Sequence, residues 1–407
     1  MKIQVLCPHF EPDSAPTGEF MTAIVENLGA MGHELHVITA LPWYREHAIE
    51  EGWSHRLVQS EDRPWGRISR VHPFPTDKTN IAARAMAFAG FTTAGLVTAV
   101  SSRFDADIVF AMSPPMTLGV AAWVAAKRRG VPFVFNIQDV FPDVAIETGT
   151  ITSPRVISAA KKLEAFVYDK ADVVTVLSEE MDRNVIGKTD TPTEIIPNFV
   201  DIETFAPTPL ENSYREEFGL VGKRVVMYCG NVGFSQSIEL LAEAAREMPD
   251  LEDVMFVVNG GGSSIEEVRR RSKGLKNFKI IPYQPVERVP EVLAAADVHV
   301  IPLRKGLAWS SVPSKLYKIL AVKRPVIASV DEGTEVGNVV VEAEAGRSVP
   351  PDVVEPLVEA LRELLDSADL RVAMGERGRD WVEQWVTPRR AAERYEALFT
   401  RLTAEVP

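Results

Sequence analysis

Cysteine is nearly absent. The chain has two in 407 residues, Cys7 and Cys229, each inside an apolar, strand-like run. That leaves no material for a disulfide framework or a cysteine-built metal site, and it suits buried thiols in a reducing, cytoplasmic compartment. An excess of basic charge is missing too: 44 Lys and Arg stand against 57 Asp and Glu, a net charge of −13. General nucleic-acid binding leans on Lys and Arg to neutralise phosphates, so this balance argues against it. Long hydrophobic runs are scarce. Only 81–100 approaches a bilayer span in length, with the single charge Arg84 inside it, and it is rich in Ala, Gly and Thr. A helix packed on a sheet, or lying at a membrane surface, is predicted there. The first apolar run, Ile3 to Cys7, is too short for a secretory leader. Low-complexity tracts and short repeats are absent. His33 and His36 sit at the start of a strand with no further ligand cluster, so no metal is expected there.

What is present is ordinary globular material, 46% hydrophobic and 25% charged, in a chain too long for one core. Apolar strand-like runs alternate with helical patterns, the mark of a parallel sheet. Strands are predicted at 2–7, 34–39, 68–71, 107–111, 132–137, 172–177 and 193–196. The pattern then restarts, at 224–229, 254–258, 278–281, 298–301 and 326–328. Helices fall between them, including 19–31, 117–127, 154–170, 237–247, 265–273 and 287–295. Three more close the chain, at 353–365, 370–385 and 388–402. The join is the Pro-containing stretch 198–222. The fold class is therefore α/β: two tandem Rossmann-like, doubly wound parallel-sheet domains with an interdomain cleft. The first covers 1–198 and the second 199–385, and the last helix, in 386–407, crosses back to the first.

Open sheets bind ligands beyond the carboxyl ends of their strands, so residues just after strands are the candidates. After the first strand Thr17, Gly18 and Glu19 open a helix, with Gly18 offering N–H groups. After another come Gln138 and Asp139, with Asn136 inside the strand's last residues; polar groups there are costly unless paired or facing a cleft. After Cys229 the loop Gly230-Asn231-Val232-Gly233-Phe234-Ser235-Gln236-Ser237 carries two glycines that allow close approach of a ligand. Ser311-Val312-Pro313-Ser314 opens a helix on which Lys315 and Lys318 share a face beside free backbone N–H groups. That combination suits a diphosphate.

Together these residues resemble the retaining GT-B glycosyltransferases of family 4. The nearest likeness is to the bacterial subgroup that adds N-acetylated sugars in O-antigen, capsule and colanic-acid synthesis. The carrying motifs are Gly32-His33-Glu34-Leu35-His36-Val37, Gln138-Asp139-Val140-Phe141-Pro142, Ile196-Pro197-Asn198-Phe199-Val200-Asp201, Tyr228-Cys229-Gly230-Asn231-Val232-Gly233, Ala295-Ala296-Asp297-Val298 and Pro313-Ser314-Lys315-Leu316-Tyr317. They run in order over nearly the whole chain.

The resemblance implies a nucleotide-sugar donor, most often UDP-linked, in the C-terminal domain. It implies an acceptor, a glycan or a polyprenyl-diphosphate-linked sugar, on the N-terminal domain. It also implies retention of configuration with no cofactor and no catalytic metal. By position, Gly233, Ser235, Gln236, Ser314, Lys315 and Lys318 bind the donor, and its base lies near Tyr283 and Gln284. Asn136, Asp139 and Lys315 serve the reaction, and Thr17, Gly18, Glu19 and Gln138 border the acceptor. Arg304 and Lys305 are further cations nearby. Asp105-Ala106-Asp107 matches a metal motif of a different transferase fold, but it precedes a strand and reads as a polar loop. The chain departs from the family where Ser310 and Lys318 replace two glutamates and Asn136 replaces a histidine. Peripheral contact with the cytoplasmic membrane face is an added expectation. A nucleotide-sugar epimerase of the same fold and an inactive nucleotide-sugar-binding protein are the alternatives.

Overall fold

The structure, a computed structural model, describes residues 1–44, 48–53, 57–74, 81–147, 149–306 and 315–405, without the side chains of 81–85 and 147. It divides into two units, Met1–Asn198 with Pro388–Pro407, and Phe199–Thr387.

In unit 1 the order is β1 (Lys2–Leu6), α1 (Pro16–Ala30), β2 (Glu34–Ala40), β3 (Val58–Arg63), β4 (Gly66–Val71), α2 (Ile81–Ser101), β5 (Ile108–Ser113), α3 (Thr117–Arg129), β6 (Phe133–Ile137), α4 (Asp143–Glu147), α5 (Pro154–Lys170), β7 (Val173–Val176), α6 (Glu179–Ile186) and β8 (Thr193–Ile195). Its eight strands lie in the order β3-β4-β2-β1-β5-β6-β7-β8. All pairs are parallel except β3 with β4. The central strands are buried on both faces, which is why they read as unbroken apolar runs: every residue of β5 and β6 is buried. Local signals set the helix ends. Pro16 starts α1, Ser178 caps α6 by accepting from the Met181 N–H, and Gly130 ends α3 at φ 69°.

Unit 2 runs α7 (Ser213–Glu217), β9 (Arg224–Asn231), α8 (Glu239–Glu247), β10 (Val254–Gly261), α9 (Ile265–Arg271), β11 (Phe278–Ile281), α10 (Val289–Ala294), β12 (Val298–Pro302), α11 (Lys315–Ala321), β13 (Val326–Ser329), α12 (Glu335–Glu342), β14 (Gly346–Val349), α13 (Val354–Asp366) and α14 (Ala368–Trp385). Its sheet is fully parallel, in the order β11-β10-β9-β12-β13-β14. The last helix, α15 (Pro388–Ala404), belongs to unit 1, where it packs on α1.

The alternation of elements matches the sequence reading except at five elements, of which α4 and α7 are five-residue helices that the reading did not name. The edge hairpin strand β3 is polar and carries no apolar alternation, so nothing in its sequence marks it. The apolar run of α12 is short enough to suit either strand or helix, and tertiary packing of Val336, Val339 and Val340 makes it a helix. β14 is a four-residue strand that, among the described residues, pairs only with β13. The candidate membrane segment forms α2, with Ala87, Phe91 and Ala99 buried at four- and eight-residue spacings, so one face packs inward. Among the described residues no helix is long and apolar enough to cross a membrane.

Candidate functional site

Each sheet has a crossover point, where the helices following two neighbouring strands pass to opposite faces and leave a crevice at the strands' carboxyl ends. In unit 2 that point lies between β9 and β12. Three glycines shape its rim. A Cβ on Gly260 would lie 2.0 Å from the Gly230 carbonyl oxygen, and one on Gly262 would lie 2.4 Å from that of Val232. Gly230 itself has φ 135°. Only glycine lets these two strand ends approach so closely.

Lys315 projects onto that rim from the first residue of α11. Its Nζ donates to the Tyr228 hydroxyl at 2.9 Å and sits 4.3 Å from the centroid of the same ring. It also lies 3.2 Å from where a Gly230 Cβ would be. Among the described residues no carboxylate pairs with it. Burial therefore dominates and pushes its pKa down to about 8. An ammonium enclosed this way, with a ring face and one hydroxyl for company, has room for an anion. Lys318, one turn on, is held over the Phe205 ring at 5.2 Å. Cys229 borders Lys315, and burial raises its thiol to about 11, so it is no nucleophile. Tyr228, which positions the ammonium, enters the sequence analysis only as part of the motif from Tyr228 to Gly233, with no role of its own, because it lies inside a buried apolar strand.

The loop after β9 corrects one expectation. The Gly233 N–H is already spent on its own loop, donating to Gln236 Oε1 at 2.9 Å, and Gln236 Nε2 donates to Ser235 Oγ at 2.7 Å. Gln236 thus braces the turn. The backbone amides of Phe234 and Ser235 are the ones with no partner among the described residues. Arg304 is also committed, donating to the Phe234 carbonyl at 2.8 Å and to Glu239 at 2.6 Å. It anchors the loop and is no spare cation. Tyr283 stands 57% exposed at the end of β11, its hydroxyl on the Gly261 carbonyl at 2.8 Å. Gln284 beside it donates to the Pro282 carbonyl and accepts from Arg288. Ser314, with 307–313 before it, lies outside the described residues.

In unit 1, Asn136 has different surroundings from those expected. It is fully buried, donating through Nδ2 to Thr175 Oγ1 at 3.1 Å and to the Tyr395 hydroxyl at 2.9 Å. Its Oδ1 accepts from Gln138 Nε2 at 2.7 Å. Every polar atom of Asn136 is used, so it has none left for a sugar; its part is to hold Gln138. Gln138 is fixed at its other end by Asn198 at 3.0 Å. Tyr395, contributed by α15, joins this network from 259 residues away, which no local pattern signals. Asp139 keeps surface in water, yet desolvation by its neighbours raises its carboxyl above the usual range. Gly18 is buried and its N–H donates to the Ala15 carbonyl at 2.9 Å, so it is a packing contact, not a ligand amide. Thr17 and Glu19 keep surface on the first turn of α1.

The histidines and acidic pairs set aside earlier are structural. His36 is buried against Gln4 and Ser69, His33 meets Glu396 at 3.0 Å, and Asp107 accepts from the Lys2 N–H. Among the described residues no cluster of His, Cys, Asp and Glu could hold a metal ion.

Comparison with known proteins agrees with this layout. Residues 17–198 match the model of a glycosyl transferase 4-like domain, and residues 211–381 match that of glycosyl transferases group 1. The chain is 27% identical over 379 residues to the putative colanic acid biosynthesis glycosyl transferase WcaI of Escherichia coli, covering 90% of this chain and 92% of that one. It is 26% identical to the probable glycosyltransferase WbjE of Pseudomonas aeruginosa, over 72% and 74%. Among solved structures, sucrose-phosphate synthase of Thermosynechococcus elongatus superposes with a TM-score of 0.75 at 18% identity, covering 99% of both chains. Anabaena HepE in complex with UDP-glucose gives 0.66 at 14%, covering 99% of this chain and all of that one. The two sheets, their order and both domain matches lead to one conclusion: the chain belongs to glycosyltransferase family 4, whose members have the GT-B fold, retain anomeric configuration and work without a metal.

Proposed function

We propose that this enzyme takes a sugar from a nucleotide diphosphate donor, UDP-linked and carrying an N-acetylated hexosamine, and places it on a glycan or polyprenyl-diphosphate-linked acceptor. The product would be a cell-surface polysaccharide assembled at the cytoplasmic membrane face. The observation that carries this reading is the enclosed ammonium of Lys315, without a carboxylate partner among the described residues, at the carboxyl end of β9, whose following loop leaves the Phe234 and Ser235 amides unspent among the described residues. When the bond from the sugar's anomeric carbon to the diphosphate oxygen breaks, its electron pair stays on the diphosphate. Preorganised donors aimed at that growing charge lower the barrier, most of all where water is scarce. Lys315 supplies the charge, Tyr228 fixes its position, and the two amides add dipoles. Lys318 extends the donor site along α11, Ser314 is assigned to the donor by its place in the sequence alone, and Tyr283 with Gln284 receives the base. Thr17, Glu19, Gln138 and Asp139 then face the acceptor, with Asn136 positioning Gln138.

UDP is favoured because HepE was solved with UDP-glucose, and the polysaccharide setting because the relative WcaI is a putative colanic acid biosynthesis glycosyl transferase. Contact with a bilayer surface would use the outward face of α2, where Met86 is 70% and Val97 58% exposed. The test is mass spectrometry of the purified protein with UDP-, GDP- and ADP-sugars, with and without a lipid extract. Nucleotide release that depends on the extract supports the transferase. Sugar conversion without it indicates an epimerase, and binding with neither outcome indicates an inactive binder.

A further inference from the structure

The crossover point of unit 1 lies between β1 and β5, and His9 stands at the end of β1 there. His9 Nδ1 is 2.6 Å from Asp13 Oδ2. A carboxylate can only accept, so Nδ1 carries the proton in this contact. Asp13 is itself pinned, since its other oxygen accepts from the Tyr44 N–H at 3.0 Å. In the neutral imidazole this contact fixes both the orientation and the tautomer, leaving Nε2 as the acceptor. Its second nitrogen, Nε2, has no hydrogen-bond partner among the described residues, and the side chain keeps 13% of its surface.

Two aromatic rings from the loop that follows the neighbouring strand β2 pack against it. Trp43 stacks on the imidazole with centroids 5.8 Å apart and planes 28° apart. Tyr44 meets it edge-on at 5.3 Å and is 40% exposed. Gly18 allows the closeness of α1, because a Cβ there would lie 2.9 Å from His9 Cβ.

We infer that His9, with Trp43 and Tyr44, forms a subsite for a sugar ring of the acceptor, in which Nε2 accepts a hydrogen bond from one ring hydroxyl. Aromatic faces carry negative potential that suits the C–H edge of a sugar, and one oriented acceptor selects which hydroxyl is presented. The local charge favours a neutral polyol over a phosphate. Glu11, Asp13 and Glu19 lie on the same loop and first turn. The nearby Arg70 is tied through Nε and Nη2 to Glu61 and the Glu11 carbonyl, and only its buried Nη1 is left without a partner. His9 binds and orients; no proton transfer is assigned to it. The idea deepens the transferase reading, since it names the acceptor's recognised end.

The test titrates methyl glycosides of glucose, galactose, mannose and N-acetylglucosamine into the full chain, with and without saturating UDP. Binding is read by saturation-transfer difference NMR and by the ¹⁵N shift of His9 Nε2. At least one glycoside should bind, move that resonance and receive saturation on its ring protons. His9→Gln and Tyr44→Ala should each weaken binding at least tenfold, by about one to two hydrogen bonds or ring contacts, and leave the UDP affinity within twofold. Tyr44→Ala is the safer variant, because its ring is partly on the surface. The inference is overturned if no glycoside shifts the His9 resonance, or if both variants bind as the native chain does. UDP titration is scored separately: failure of UDP to bind sinks the donor assignment and leaves this one standing.

Discussion

Replacing Lys315 with methionine should make the protein more stable and less active at once. The side chain's ammonium is enclosed and has no carboxylate partner; its drop from 10.5 to about 8 corresponds to about 3 kcal/mol against the charged form. The sign follows from proton counts. Between about pH 8 and 10.5 the unfolded chain holds this proton and the folded chain does not, so stability rises with pH across that window. Below it, both states are charged and the full cost is present. Methionine keeps the apolar stem and removes that cost, so at pH 7 the variant should gain about 1–3 kcal/mol, the loss of the Tyr228 contact taking back the rest. For a unit of this size that is roughly 2–4 °C in Tm per kcal/mol.

Activity should move the other way. A charge-assisted contact to the leaving diphosphate is worth about 3 kcal/mol, so donor turnover should fall about a hundredfold or more. A bound diphosphate also raises the pKa of Lys315, so binding takes up a proton above pH 8. UDP affinity of the native protein should then fall about tenfold or more between pH 7.5 and 9.5, while the methionine variant stays flat. Calorimetry in buffers of different ionisation enthalpy reads both affinity and proton uptake. A native affinity that ignores pH over that range, together with a variant that binds UDP equally well, would refute the reasoning.

Other expectations follow from the same geometry. Asn136→Leu leaves Thr175, Gln138 and Tyr395 short of partners in a buried network, so urea denaturation should show a loss of about 2–4 kcal/mol. Arg379 donates to the carbonyls of Ile202, Phe205 and Ala321; Arg379→Met should cost about 3 kcal/mol and lower UDP affinity by loosening α11, and an unchanged melt would discount that clamp. Gly260→Ala would drive a methyl into the Gly230 carbonyl, so loss of UDP binding before loss of the far-UV signal is expected. Burial lowers His36 and His299 to about 4. The unfolded chain takes up those protons first as pH falls, so stability should be lost between about pH 6.5 and 4, and replacing His299 with glutamine should blunt that slope in thermal melts.

Much of the fold was legible because both sheets are parallel and buried on both faces. Burial on both sides demands uninterrupted apolar residues, and those runs mark β1, β5, β6, β9, β10 and β12 without any tertiary knowledge. Strands that do not meet this demand, such as the polar edge strand β3, left no trace. The candidate positions after the strands, and Lys315 among them, were legible for the same topological reason. Their individual chemistry was not. Whether an amide is spent or open, as at Gly233 against Phe234, depends on where Gln236 folds back. Asn136 became a buried brace only because α15 delivers Tyr395 to it, and His9 became a directed acceptor only because Asp13, Trp43 and Tyr44 converge on it. The sequence by itself determined which segments pair and where ligands can approach, since those follow from apolar periodicity and strand direction. The tertiary structure alone decided which polar groups remain unpaired, because pairing is settled by contacts between residues far apart in the chain.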